Sequence, residues 1–362
     1  MNQRRVMHVV VGGDIGGAER LLVDLAGRPD QTRSEHEVAL FTSNPSLAAY
    51  LVGAGLHVHP CGDAPENPIA YLRRSLGEAC VRRLSNLLVE RRCDIVHTHT
   101  FGSHVIGTRA AMRAVRPQVR TEHHFVHYFD PSCRLFTRWA AARTDALIAV
   151  SEFVRRVVVE TAPRLAERMT VARNGVDTRY WSPRSKTREG FLAGIVCRLT
   201  GWKRVQLAIR AAAIARVDLV VVGDGEERTR LADLAKALRA PVRFAGYATD
   251  PRPHMADCDV VLSTSEQEPL GLSVMEALSM GRPVVACAGG GIPEIVRDGE
   301  TGILVRKATA AAFAEALGAA RDQPERLASM GIRARAFAES ACSIEATCEK
   351  YGAVYDRVAR AP

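Results

Sequence analysis

Short apolar strand patterns alternate with amphipathic helix patterns along this chain, and the whole series occurs twice, in residues 1–172 and again in residues 191–342. Parallel strands need long crossover connections, which are usually helical, so this alternation predicts a doubly wound parallel sheet in each half. A chain of 362 residues is also longer than one hydrophobic core usually serves. We therefore expect an α/β protein of two similar domains.

The strands are predicted from short β-rich apolar runs that end in glycine or polar residues. They are residues 6–11, 37–42, 94–97, 119–122, 146–150 and 169–172 in the first domain, and 191–197, 217–222, 242–245, 259–263, 283–287 and 302–305 in the second. Helices of the first domain are predicted near residues 68–91, 102–115, 132–143 and 151–167. Residues 173–190 are rich in turn formers and charge, which predicts an interdomain linker.

The charge pattern argues against a nucleic-acid partner. The net charge is +9, but 44 of the 49 basic residues are Arg and they are scattered, without a Lys/Arg block.

The nine cysteines are unclustered, which indicates reduced thiols in a cytoplasmic protein. No apolar run approaches the ~18 residues that span a bilayer, so any contact with the inner face of a membrane is expected to be peripheral.

The stretch 263–285 carries the clearest binding pattern. Pro269 suits the first turn of a helix, so a helix is predicted to start there. The N–H groups of Leu270, Gly271 and Leu272 would then point out of the positive end of the helix dipole. Such a helix end is a binding site for phosphate.

Charged side chains surround this predicted anion site. Glu268 stands in the loop before the helix and Glu276 lies within it, a layout that suits a sugar joined to a nucleotide by a diphosphate. Arg198 ends the first strand of the second domain and Lys203 follows it, so both cations can converge on a diphosphate. The alternative is an ordinary βα unit with solvated charged side chains.

A glycine-rich loop follows the first strand. Gly12, Gly13, Gly16 and Gly17 let the backbone approach a ligand closely, or they form a tight βα turn. The loop lacks the G-x-G-x-x-G order, and no acidic residue follows the second strand where a nicotinamide ribose would need one. These two features exclude a nicotinamide oxidoreductase.

Histidines cluster where two predicted strands end. His97 and His99 follow one strand, and His123, His124 and His127 follow the next. A metal site is one interpretation, but no Cys or carboxylate pattern completes a zinc set at a familiar spacing. We expect no bound metal and no cofactor.

Nine motifs, taken in their order and spacing, resemble those of retaining GT-B glycosyltransferases of family four (glycosyl transferases group 1). Eight of them stand outside the Glu268-x7-Glu276 segment. They are GGAERLLVDLA (Gly16–Ala26), DIVHTH (Asp94–His99), TEHH (Thr121–His124), AVSEFVRR (Ala149–Arg156), VARNGVD (Val171–Asp177), CRLTGWKR (Cys197–Arg204), VVGDGEERTRL (Val221–Leu231) and GGGIPEIVRDGETGILV (Gly289–Val305).

The resemblance implies the GT-B architecture, two facing Rossmann-like domains with an interdomain cleft. Residues 1–172 would lie on the acceptor side, residues 191–342 would bind the nucleotide sugar, and residues 343–362 would form a helix that returns to the N-terminal domain. It also implies a retaining, metal-independent transfer from a UDP- or GDP-sugar co-substrate to a hydroxyl acceptor, such as a cell-envelope glycan, a glycolipid or a small metabolite.

The resemblance assigns roles residue by residue. The catalytic set is His123, Glu268, Arg198 and Lys203. The donor-binding set is Gly16, Gly17, Arg198, Lys203, Leu270, Gly271, Leu272 and Glu276. Glu268 would bond a sugar hydroxyl, Glu276 the ribose, and His123 would lie near the transferred sugar and the acceptor.

Two other members of the same architecture are alternatives. One is a catalytically inactive GT-B nucleotide-binding module, against which the joint presence of the catalytic set argues. The other is a GT-B sugar-nucleotide epimerase, whose acid pattern does not match Glu268-x7-Glu276. The chain departs from the family at Leu270, where Phe is usual, at Arg173, where Pro is usual, and at Trp202, which replaces an acidic residue.

Overall fold

The chain divides into two compact units. The computed structural model describes residues 3–12, 15–62, 77–99 and 101–360. Unit 1 is Met1–Asn174 with Glu345–Pro362, and unit 2 is Gly175–Ile344. Gly13 and residues 68–76 of the first predicted helix lie outside the described residues.

Seven parallel strands form the sheet of unit 1 within the described residues, in the order β3-β2-β1-β4-β5-β6-β7. They are β1 (Arg4–Val11), β2 (Ser34–Phe41), β3 (His57–Pro60), β4 (Ile95–Thr98), β5 (Gln118–Glu122), β6 (Ala146–Ala149) and β7 (Met169–Val171). The helices are α1 (Gly17–Ala26), α2 (Pro29–Thr32), α3 (Pro45–Gly53), α4 (Ala79–Glu90), α5 (Phe101–Ala114), α6 (Arg134–Ala142) and α7 (Glu152–Thr161).

Helices cover both faces of this sheet, as a parallel sheet requires. Along β1, Met7 and Val9 pack with Leu84 of α4, whereas Val10 packs with Leu22 of α1 on the opposite face. Both faces of β1 are therefore buried. This is why the strand reads as a continuous apolar run rather than an alternating one.

Unit 2 repeats the architecture with a sheet of six parallel strands, in the order β10-β9-β8-β11-β12-β13. The strands are β8 (Leu192–Val196), β9 (Asp218–Val222), β10 (Val242–Gly246), β11 (Val260–Ser263), β12 (Val284–Cys287) and β13 (Gly302–Val305). The helices are α8 (Val205–Ala215), α9 (Arg228–Ala237), α10 (Arg252–Asp257), α11 (Leu272–Ser279), α12 (Ala310–Asp322) and α13 (Pro324–Ala341).

The last helix, α14 (Ile344–Ala359), lies in unit 1 from Glu345 onward. Tyr351 and Tyr355 are fully buried there. The Tyr351 hydroxyl lies 3.1 Å from Thr121 Oγ1, and the Tyr355 hydroxyl lies 2.7 Å from His97 Nδ1. The helix therefore contributes polar groups as well as apolar surface to the core of unit 1.

The predicted fold class is confirmed, and each predicted strand is present with its ends displaced by a few residues at most. Strand β3 was not predicted, because His57–Pro60 is short, lies at the sheet edge and is largely accessible. Residues 175–190 of the predicted linker belong to unit 2. Trp181 is buried there, and its carbonyl accepts hydrogen bonds from Ser279 Oγ and Arg335 Nη1.

The cysteines and the helices bear on the expectations of reduced thiols and of no membrane-spanning segment. The nine cysteines are free, and seven of them are buried. Of the helices within the described residues, none is both long and apolar enough to cross a membrane.

A close approach in the core of unit 2 gives a test of its packing. Gly194 on β8 lies against the buried Cys258, and a Cβ at Gly194 would come within 2.3 Å of Cys258 Sγ. We expect Gly194→Ala to lower the free energy of unfolding by about 1–3 kcal/mol, as overpacking does. Adding Cys258→Ala removes the sulfur, so the double variant should recover part of that loss.

The measurement is urea unfolding of the two single variants and the double variant, which yields their coupling energy. Gly318→Ala is the matched control, because no heavy atom lies within 4 Å of a Cβ added at this helical position. It should stabilise slightly or have no effect. Additive effects of the Gly194 and Cys258 changes would contradict the packing described here.

Candidate active site

The loops after β8 and β11, two neighbouring strands of unit 2, carry the predicted donor-binding charges. Lys203 ends the turn Gly201–Lys203 after β8, and Glu268 lies in the loop after β11. Lys203 Nζ donates to both carboxylate oxygens of Glu268, at 2.9 and 2.8 Å. The two side chains are 19% and 10% exposed, so they form a largely shielded ion pair.

Neighbouring side chains hold Lys203 in this position. Thr264 Oγ1 donates to the Lys203 carbonyl at 2.7 Å. The indole ring of Trp202 lies 4.0 Å from Nζ, close enough for a cation–π contact. Trp202, one of the departures from the family pattern, therefore contacts the predicted phosphate-binding cation.

A glycine loop after β12 fixes the backbone of Glu268. Gly291 N–H donates to the Glu268 carbonyl at 2.8 Å. Gly290 has φ of +63°, and a Cβ there would lie 2.2 Å from the same carbonyl oxygen. A larger residue at Gly290 would displace the loop that carries Glu268.

Helix α11 begins at Leu272, so the predicted start at Pro269 is wrong. The cause is Gly271, which has φ of 100° and ψ of 68°, a left-handed conformation that interrupts the chain between Pro269 and the helix. The helix has no side-chain cap among the described residues. The free N–H groups at its mouth therefore include that of Leu272, whereas Leu270 precedes the helix.

The other predicted residues of unit 2 differ in exposure. Glu276 lies on α11 with its side chain buried, and Leu270 is buried as well. Arg198 follows the end of β8 and is exposed. Their assignment to ribose, sugar and diphosphate stays a prediction.

The glycines after β1 lead into α1, and Gly16 is the residue that caps this helix. Gly16 N–H donates to Glu19 Oε2 at 2.9 Å, which completes one half of a capping box. The helix end is therefore already neutralised by a carboxylate of the chain. A diphosphate at Gly16 or Gly17 would have to displace or adjoin Glu19, so donor binding there stays a prediction.

The predicted histidine cluster exists in unit 1 with different members. His99 Nε2 lies 2.7 Å from His8 Nδ1, and His99 Nδ1 lies 3.3 Å from His123 Nε2. His8 Nε2 continues the series to His36 Nδ1, at 2.7 Å. We call His36, His8, His99 and His123 the imidazole chain. His97 stands beside it, bonded to Tyr355 and to Thr121.

Sequence reasoning missed His8 and His36. His8 has a sequence signal, a histidine in an apolar run, which a buried hydrogen-bond network explains. His36 has none, because it stands between Glu35 and Glu37. His124, by contrast, accepts the N–H groups of Phe125 and Val126 at 3.0 and 3.2 Å and stays outside the chain.

The remaining histidine of the predicted cluster, His127, belongs to a second network around Glu122. Glu122 contacts Arg120 Nε at 2.6 Å and His127 Nε2 at 3.0 Å, and it accepts the Tyr128 hydroxyl at 2.6 Å. Burial opposes ionisation of Glu122, but the Arg120 guanidinium and the His127 bond hold the pKa of Glu122 well below its ordinary value. An ionised carboxylate therefore remains paired inside the core.

Two groups in the described part of the chain have the spacing of metal ligands. They are His8, His97 and His99, and His104, Glu122 and His127. In the first group, the 2.7 Å between His8 and His99 is a hydrogen-bond length, shorter than the roughly 3.3 Å that separates two nitrogens on one zinc ion. In the second group, the charge of Arg120 opposes a cation. Both groups favour hydrogen-bond networks, and the absence of metal stays a prediction.

Comparisons with known proteins decide the family. Two family models match, Glycosyl transferases group 1 over residues 190–322 and Glycosyltransferase Family 4 over residues 15–180. The chain is 30% identical over 282 residues to alpha-maltose-1-phosphate synthase of Mycolicibacterium smegmatis, an alignment that covers 67% of this chain and 73% of the relative. The chain belongs to the group 1 glycosyltransferases. The prediction of a transferase enzyme is thereby confirmed.

Other similarities of this glycosyltransferase extend over nearly its whole length. It is 26% identical over 347 residues to N-acetyl-alpha-D-glucosaminyl L-malate synthase of Bacillus anthracis, with 90% of each chain covered. It is 25% identical to Anabaena Alr3699/HepE, whose crystal structure is a complex with UDP-glucose. That structure matches with a TM-score of 0.84 over 96% of this chain and 98% of the other. The GT-B fold is confirmed.

The buried histidines predict a loss of stability in mild acid. Burial lowers the pKa of His36 to about 3, with Arg4 adding to the effect, and lowers the pKa of His123 to about 4. The unfolded chain, with histidine pKa values near 6.5, binds more protons below that pH. Stability should therefore be constant above about pH 7 and fall between about pH 6.5 and 4.

Urea unfolding of the full chain from pH 8 to pH 5 measures this slope, and each neutral histidine contributes up to about 1.4 kcal/mol per pH unit. His36→Gln should make the slope shallower. The matched control is His57→Gln, because His57 is exposed on the edge strand β3. Equal slopes in all three proteins would contradict the argument.

Proposed function

We propose that this enzyme is a retaining, metal-independent glycosyltransferase that moves a sugar from a UDP- or GDP-sugar to a hydroxyl acceptor. The observation that carries the proposal is the Lys203–Glu268 ion pair at the carboxyl ends of β8 and β11, beside the uncapped start of α11 in the described structure. The names of the relatives support the donor class, since HepE binds UDP-glucose. They also support a hydroxyl acceptor of the glycan, glycolipid or small-metabolite kind.

The ion pair fits a donor site because Lys203 would bind the diphosphate of the donor and Glu268 would bind its sugar. A diphosphate oxygen would compete with Glu268 for Lys203, and the released carboxylate would accept hydroxyl groups of the sugar. When the sugar departs, negative charge develops on the diphosphate. Lys203, Arg198 and the N–H groups at the start of α11 would stabilise that charge.

The other predicted residues would contact the ribose of the donor, the transferred sugar and the acceptor. Glu276 would bond the ribose hydroxyls, as a carboxylate does in other nucleotide sites. His123, at the carboxyl end of β5 in unit 1, would contact the transferred sugar or the acceptor. The departing phosphate would take the proton of the acceptor hydroxyl, because the part of the chain that the structure describes shows no second carboxylate paired with Glu268 as a base.

The ion pair gives the first functional prediction. We expect Glu268→Gln and Lys203→Ala each to raise the barrier for sugar transfer by about 2 to 4 kcal/mol, because each removes an electrostatic contact to the donor. The measurement is kcat/KM with the nucleotide sugar that most raises the melting temperature in a thermal-shift screen. Glu266→Gln is the matched control, an exposed neighbour in the same loop that pairs with Arg204.

Near-normal rates in both ion-pair variants would remove them from the site. Donor-induced stabilisation without transfer or hydrolysis by the wild-type enzyme would instead favour an inactive nucleotide-binding module. Melting temperatures of the variants without ligand show whether each remains folded.

Metal independence is tested by chelation. We expect transfer to continue in excess EDTA, because Lys203, Arg198 and the start of α11 would supply the positive charge that a cation otherwise supplies. The measurement is the initial rate with EDTA, compared with the rate after magnesium or manganese is added back. Loss of activity that either cation restores would overturn this assignment.

A further inference from the structure

The imidazole chain crosses four consecutive strands of unit 1. His36 lies on β2, His8 on β1, His99 directly after β4, and His123 directly after β5. In the sheet these strands lie in the order β2-β1-β4-β5, so the rings follow one another across the sheet. His8 and His99 are buried, and His123 is half-buried at the carboxyl end of β5.

Each ring of the chain is neutral near pH 7. Burial lowers the pKa of His8 and His99 well below the ordinary value, and those of His36 and His123 fall to about 3 and about 4. A neutral imidazole carries one N–H group and one lone pair. Every ring bonded on both sides must therefore donate to one neighbour and accept from the other.

This requirement couples the tautomers of all four rings. If one inter-ring bond reverses, each of the others must reverse as well, or two lone pairs or two N–H groups would face each other in a buried site. Four rings thus have only two fully bonded arrangements. The groups at the ends of the chain decide between them.

The Thr32 hydroxyl favours one of these two arrangements at the His36 end of the imidazole chain. This hydroxyl lies 2.9 Å from His36 Nε2, and it also lies 3.2 Å from the Arg28 carbonyl oxygen. The Pro29 carbonyl oxygen lies 3.4 Å away as well. If the hydroxyl donates to a carbonyl, its oxygen can still accept from His36 Nε2–H, whereas donation to His36 would forgo the carbonyl bond. The arrangement with His36 Nε2–H as donor therefore makes one more hydrogen bond. Thr32 is itself fully buried, which leaves no water to take over either bond.

The direction then propagates along the chain. His36 Nδ1 accepts from His8 Nε2–H, and His8 Nδ1 accepts from His99 Nε2–H. His99 Nδ1 accepts from His123 Nε2–H. The last ring is thereby left with its lone pair on Nδ1.

We propose that Thr32, His36, His8 and His99 are positioning residues that lock His123 in the Nε2–H tautomer, so that its Nδ1 accepts a hydrogen bond from a hydroxyl group of the substrate. The tautomer follows from the chain itself, whereas the hydroxyl ligand rests on the proposed function. The opposite tautomer would present an N–H group and would favour a carbonyl or phosphate oxygen instead.

The first experiment reads the tautomer without any assay of activity. The full chain is labelled with ¹⁵N-histidine, and two-bond ¹H–¹⁵N correlation spectra at pH 7.5 show which nitrogen of each ring is protonated. We expect His123 to have a protonated Nε2 and an unprotonated Nδ1. A protonated Nδ1 on His123 would overturn the proposal.

Variants at the far end test the coupling. Thr32→Val is nearly isosteric but has no hydroxyl, so the bias is lost and His123 Nδ1 should become partly protonated. Thr32→Ser restores the hydroxyl and should restore the wild-type spectrum. Signals are assigned by single His→Gln changes, and His57→Gln is the control from outside the chain. An unchanged His123 in Thr32→Val would overturn the coupling.

The second experiment concerns the role of His123 in transfer. Partners that orient a functional imidazole in metal sites change activity about 10- to 100-fold when they are removed, so we expect Thr32→Val to lower kcat/KM about tenfold and Thr32→Ser to restore it. The thermal shift produced by UDP alone should be the same in all three proteins. If the spectra change as expected but kcat/KM does not, the catalytic role is wrong. If the wild type has no transfer activity, the proposed function fails, and the spectra still decide the tautomer.

Discussion

The parallel hydrogen-bond ladder is the constraint on which both units depend. A parallel sheet must be covered on both faces, so the strands become apolar along most of their length and polar residues collect at the strand ends. Lys203 and Glu268 follow β8 and β11, and His99 and His123 follow β4 and β5. Charged and polar site residues lie at these strand ends because the hydrogen-bond ladder still fixes the backbone there. Their side chains extend beyond the apolar layers that cover the sheet.

Most of the fold could be predicted because short continuous runs of aliphatic residues, bounded by turn residues, are typical of buried parallel strands. The wrong or missing predictions concern single elements. Strand β3 carries too little apolar surface to show a period, because it is a short edge strand. The start of α11 was misjudged because Pro269 satisfies the rule for a first turn, while the left-handed conformation of Gly271 places the first turn later. The sequence pattern does not show that Gly271 adopts a positive φ, and this φ, rather than the fixed φ of Pro269, sets the start of the helix.

The site was predictable as a set of residue types and less so as geometry. The motifs indicated Lys203 and Glu268 separately, but 65 residues separate them, and only the adjacency of β8 with β11 brings the ammonium group to the carboxylate. The motif around Gly16 indicated an anion site, yet Glu19 of the same motif binds that amide. Spacing alone cannot tell whether a motif's acidic residue accompanies a ligand or replaces it.

Strand β5 shows how one strand can serve two polar networks without exposing either. Alternate residues point to opposite faces. Arg120 and Glu122 enter the network with Tyr128 on one face, whereas Thr121 and His123 face the histidines on the other. Each network is costly to bury unless its members are bonded, so each fixes the rotamers that it uses. The half-buried ring of His123 joins the histidine network through Nε2, and the residue before it, Glu122, is fixed by the ionic network on the opposite face.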